Sequence, residues 1–168
     1  MKGLQDIASL ATLVAIVGVG ATALMDLWLA LLRRLGVATQ PMAFIGRWVG
    51  HLLRGRLSHA AISRAEPVAG EQAWGWLAHY AIGIAFAALL IGLRGSPWLS
   101  QPTLGPAIAV GLVTVLAPLG VMQPAMGAGF FAARTPAPLK SCLRSLANHA
   151  VFGLGLYLSA AALALLPL

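Results

Sequence analysis

Residues 7–32 read I-A-S-L-A-T-L-V-A-I-V-G-V-G-A-T-A-L-M-D-L-W-L-A-L-L, with one ionisable side chain, Asp26. About 20 helical residues suffice to cross the hydrocarbon core of a bilayer, so this stretch predicts a transmembrane helix. Ala21-Thr22-Ala23 has the small-x-small pattern of a signal-peptide cleavage site. The apolar run, however, continues past it to Leu32, and Asp6 lies close behind Lys2. We therefore expect a retained span.

Three further stretches are long and apolar enough to cross: about 72–93, 103–122 and 143–166. The 168-residue chain is 60% apolar and 9% charged. Soluble domains average about 25% charged residues, so the chain lacks the polar shell of a soluble enzyme. Its mean hydropathy is +0.87. No ten-residue alternation of a membrane barrel is present, which leaves helices. The expectation is an all-α integral membrane four-helix bundle in one domain, 1–168.

The net charge is +7, yet nucleic acid is not the expected partner, because the basic residues fall between the apolar runs. Arg33, Arg34, Arg47, Arg54, Arg56 and Arg64 lie between spans one and two. Arg134, Lys140 and Arg144 lie between spans three and four or at the rim. Only Lys2 and Arg94 fall on the other side. The positive-inside rule then places the basic loops in the cytoplasm and both termini outside it. A lone cysteine, Cys142, cannot form an internal disulfide.

The first loop is too long to be left structureless. Pro41 suits a helix start, and Ile45, Trp48, Val49, Leu52 and Leu53 follow at helical spacing. This predicts a basic amphipathic helix over about 41–64, lying in the cytoplasmic interface. Arg47, Arg54 and Arg56 would face lipid and touch anionic head groups. Gly46, Gly50 and Gly55 weaken it and would allow two shorter pieces. Span three carries Pro106 and Pro118, and Pro118 should kink it. The breaker-rich Met122–Gly129 stretch predicts a re-entrant segment or a helix end capped inside the protein.

With this topology the few polar groups share one depth. Asp26 lies about 10 Å inside the cytoplasmic end of span one, His79 about 12 Å inside span two and His149 about 7 Å inside span four. Gln123 ends span three, and His51 and His59 sit in the loop covering the layer. An acid at membrane depth should face the bundle interior and find a partner. A histidine or a first-loop arginine is the natural one for Asp26.

Several chemistries fit such a layer. Asp26, His79 and His149 could ligate a metal ion, with His51, His59 and Gln123 as further ligand-binding candidates, although every ligand would come from a different element. His79 and His149, on diagonal helices, could hold a b-type haem, with Gly75, Gly83, Gly153 and Gly155 leaving room for the ring. Asp and His chains also line proton or solute paths. Alternatively the groups hydrogen-bond between helices in an accessory or structural subunit, and the glycines serve close packing. A homo-oligomer or a larger membrane complex would suit that role.

Enzymatic signatures are missing. Ser58-His59 and Ser141-Cys142 have no triad partner suggested by position, and Gly18-Val-Gly20-Ala lies inside an apolar span. The reading leans away from an enzyme.

The segments G-A-T-A-L-M-D-L-W (20–28), G-R-W-V-G-H (46–51), G-W-L-A-H-Y-A-I-G (75–83), M-Q-P-A-M-G-A-G (122–129), R-T-P (134–136) and H-A-V-F-G-L-G-L-Y (149–157) together resemble a family of small bacterial inner-membrane proteins known only as a domain of unknown function. The resemblance runs from Gly18 to about Leu158. It implies a bacterial source, a four-span membrane protein in the inner membrane, and no particular activity. Asp26, His51, His79, Gln123 and His149 all fall inside the resembling segments.

Overall fold

The structure, a computed structural model, describes residues 2–165 and the side chains of residues 7–165. Among these residues the chain is all-α: five helices, four of them long, apolar candidate membrane spans packed as a bundle. They are α1 (Lys2–Arg34), α2 (Met42–Leu52), α3 (Glu71–Arg94), α4 (Leu104–Met126) and α5 (Pro138–Ala164). Helical backbone satisfies its own polar groups, as an apolar run in lipid requires. The spans run somewhat longer than the hydropathy alone implied, and the expected end of the fourth at Leu166 lies outside the described residues.

α1 packs on α3 and α5, and α4 packs on α5 and α3, so α3 and α5 face each other diagonally. Small residues bring the backbones together. Gly18 lies against Ile84, Gly155 against Ala21, and Gly111 against Gly153. Close approach of this kind is how membrane helices gain dispersion contacts. Leu90, Leu156 and Val17 are fully buried near the Ser96–Leu99 turn, together with Trp98.

The third span is continuous rather than re-entrant. Pro118 has no N–H to give, and the ladder loosens into a π-turn over Pro118–Met122 before a final turn, Gln123–Met126. Gly127, at φ 98°, ends it. Ala128 N–H donates to Gln123 O and Gly127 N–H to Pro124 O, at 2.9 and 3.1 Å. This is a Schellman cap, and it returns the chain without leaving the protein.

The first loop departs most from expectation. Its helix stops at Leu52, well short of residue 64, and only a short 3-10 turn, Ile62–Arg64, follows. α2 does not present Arg47 to lipid. Ile45, Gly46, Arg47, Gly50 and His51 are buried, and the helix lies on the start of α3. Gly46 and Gly75 let the two backbones meet: a Cβ built on Gly46 would lie 2.5 Å from Gly75 N.

Arg47 is held there by charge. Its Nε and Nη2 donate to the two Glu71 oxygens, each at 2.8 Å. Its Nη1 donates to the Ile62 and Ala65 carbonyls at 3.3 and 3.1 Å. The bond to Glu71 holds the guanidinium above its ordinary pKa. Arg54 and Arg56 are exposed, beyond the end of α2.

Candidate functional site

Asp26 on α1 faces α3, where two consecutive side chains meet it. His79 Nε2 lies 2.9 Å from Asp26 Oδ1, and Tyr80 OH donates to Oδ2 at 2.9 Å. A carboxylate only accepts, so His79 donates from Nε2. The side chains of His79 and Asp26 are 12% and 19% exposed.

His149 on α5 turns toward α4. Thr114 Oγ1 donates to Gly111 O at 2.8 Å, which uses its proton. His149 Nδ1 lies 3.1 Å from Thr114 Oγ1 and 3.2 Å from Gly111 O. Both are then acceptors, so the hydrogen-bond network assigns the proton to Nδ1 and leaves a lone pair on Nε2.

The two histidines have separate partners, yet they share walls. A cavity of about 600 Å³ opens between α1, α2, α4 and α5, and a second of about 350 Å³ adjoins it. Both fall in the size range of small-molecule sites. Met25, Ile45, His79, Pro118, Met122 and His149 line both. The larger cavity is polar on its α5 side, where Ser141, Arg144, Ser145 and Asn148 follow one another at i, i+3, i+4 and i+7. This spacing puts all four on one helix face. Trp28 Nε1 donates to Asn148 Oδ1 at 3.0 Å, which fixes the amide and leaves its NH₂ free to donate. Gln123 Oε1 is buried in the structure without a hydrogen-bond partner, and Gln123 lines the same cavity. The smaller cavity is apolar, walled by Ile82, Phe86, Val121 and Phe152.

The expected constellation is therefore only partly assembled. His79, His149 and Gln123 converge on the cavities. Asp26 stands behind His79 and lines neither. His51, in the last turn of α2, and His59, in the loop after it, line neither cavity, and their ring centroids are 4.9 Å apart. His51 Nε2 bonds Glu66 O at 2.9 Å. His59 is buried with both ring nitrogens unpartnered. Burial, then Arg56 and His51, push its pKa below the ordinary 6.5.

The metal reading of Asp26, His79 and His149 is corrected. Among the described residues no group of three or more His, Cys, Asp or Glu could hold a metal ion. Asp26 spends both oxygens on His79 and Tyr80, while His149 commits Nδ1 to α4. The slot expected for a haem is also not formed by the glycines. Gly75 is covered by Met42, Gly83 by Thr22, Gly153 by Ala107 and Gly155 by Ala21.

The expectations missed Tyr80, Thr114, Ser141 and Ser145. The serines carry a legible signal, a polar stripe at helical spacing, but the hydropathy places the start of the span at about 143, between Ser141 and Ser145. Tyr80 and Thr114 gave none, since each matters only through the helix facing it.

The model of a family described as "Protein of unknown function (DUF2938)" matches residues 15–163, and the chain belongs to that family. No curated protein and no solved structure matches it.

Proposed function

We propose that this member of the DUF2938 family binds a small amphipathic molecule inside its bundle, between the polar and apolar cavities. The observation that carries this reading is the sharing of His79 and His149 by both walls, with a polar lining on one side and an apolar one on the other. Binding pockets are mostly apolar with a few placed polar groups. His149 offers a lone pair, and the Asp26 carboxylate orients the His79 ring, as carboxylates orient functional imidazoles elsewhere. Met25 and Met122 stand between the cavities and can shift to admit a chain.

The reading places the protein in the inner membrane of a bacterium, with the basic loops in the cytoplasm and both termini outside. Nine basic residues against two support that orientation. The exposed Arg54 and Arg56 then meet anionic head groups, and the cavities open toward the cytoplasmic side.

The test is solvent extraction of the detergent-purified protein, followed by mass spectrometry of the extract. The wild type should yield one class of amphiphile near stoichiometry. Ala117→Trp, which fills the apolar cavity, should lose it while keeping the same elution volume and melting temperature. Equal yields from both proteins, or none from either, would remove the reading. A second reading, an accessory subunit, is favoured by one observation: Asp26, His79 and His149 each have their own interhelical partner. It predicts an empty extract and a partner protein recovered with the chain.

A further inference from the structure

We infer that the molecule bound is a single-chain amphiphile with an acidic head, a carboxylate or a phosphate, and that Arg144 is its counter-ion. This inference rests on the cavities being a ligand site.

The charge in the walls is one-sided. Arg144 lines the polar cavity, and among the described residues no Asp or Glu lines either cavity. Two acids are committed to other partners: Asp26 to His79 and Tyr80, and Glu71 to Arg47. Arg144 has one protein partner among the described residues, the Ala38 carbonyl, at 2.6 Å from Nη1. The rest of its guanidinium fork is unspent. A cation in a membrane-spanning helix usually pairs with an anion or with several carbonyls. Here the place for that anion is the cavity itself.

The neighbouring groups fit the same head. Asn148 lies one turn beyond Arg144 and has its NH₂ free, because Trp28 fixes its oxygen. Ser145 adds a hydroxyl on the same face. The Gln123 amide, unpartnered at its oxygen, can rotate to turn its NH₂ toward an anion. Beyond the neck at Met25 and Met122, the wall carries Phe86, Phe152, Ile82 and Val121, which suit an alkyl or isoprenoid chain. Carboxylate and phosphate both match a guanidinium fork.

The test is native mass spectrometry of the full chain released from detergent, with three probes: hexadecanoate, dodecyl phosphate and methyl hexadecanoate. Hexadecanoate and dodecyl phosphate should each bind one to one and displace each other. Arg144→Gln should weaken both about tenfold, the scale of one charge-assisted hydrogen bond. Arg144→Lys, which keeps the charge, should retain most of the binding and so exclude misfolding as the cause. The tighter acid identifies the source as a fatty acid or a phospholipid-like molecule. If methyl hexadecanoate binds as tightly as hexadecanoate, ignores Arg144→Gln and is blocked by Ala117→Trp, the acidic head is wrong and the cavity reading stands. If none of the three probes binds, both fall.

Discussion

Asp26 accepts from His79 and from Tyr80, one on each carboxylate oxygen, both at 2.9 Å. Two consecutive residues of one helix thus converge on one acid of another. Since α3 turns by about 100° per residue, the arrangement fixes both the rotation and the height of α3 against α1.

Asp26→Ala leaves two donors without their acceptor. It should lower the stability of the detergent-solubilised protein by about 1–3 kcal/mol. Asp26→Asn keeps one acceptor and should cost less. Thermal unfolding of the two variants beside wild type checks the order, and equal melting temperatures for all three would show that the pair holds nothing.

Arg47→Ala strands Glu71 and removes the donor to three carbonyls of the first loop, those of Ile62, Ser63 and Ala65. Breaking a buried ion pair from one side costs about 3–5 kcal/mol, and the two side chains are 10% and 19% exposed. The double variant Arg47→Met with Glu71→Leu should recover much of that loss. Melting temperatures of the single and double variants decide it. A double variant worse than Arg47→Ala would contradict the account.

Gly46→Ala should force α2 away from α3, because its Cβ would meet Glu71 and Gly75 backbone atoms. Overpacking of this kind costs about 1–3 kcal/mol. Gly105→Ala is the control, since nothing lies within 4 Å of its Cβ. It should melt at or slightly above the wild-type temperature, as Ala favours a helix over Gly.

His59 gives a pH dependence. Its pKa is depressed in the folded protein and near 6.5 when unfolded. Below 6.5 the unfolded chain binds the proton more readily, so stability falls with pH until the folded pKa is passed, and it is flat above. Melting temperatures from about pH 8 down to about pH 5 should decline in wild type, and His59→Leu should flatten the slope. An unchanged slope would place the effect elsewhere.

How much of this the sequence discloses depends on the range of each signal. The four spans are legible because Ile7–Leu32 and its counterparts repeat one property over many residues. The meeting of Asp26 with a histidine follows from the cost of a lone acid at that depth. Arg47 misleads for the opposite reason. Its spacing beside Trp48 and Leu52 is that of a surface helix, and only Glu71, 24 positions away, turns it inward. Gly46 alone suggests a weak helix and Gly75 alone a haem slot, while their role is mutual and invisible from either one. The start of the fourth helix at Pro138 is masked by Lys140, which breaks the hydropathy but not the helix, and the expected start at about 143 cuts the Ser141–Asn148 stripe after its first member.

The central claim is that the adjoining cavities hold one amphipathic molecule. It is tested most directly by a structure of the chain determined in lipid nanodiscs, at a resolution that shows bound lipid. The account predicts one elongated density, with its head against Arg144 and Asn148 and its chain passing Met122 toward Phe86 and Phe152. Cavities holding only water, or closed by collapse of α4 onto α1, would contradict it.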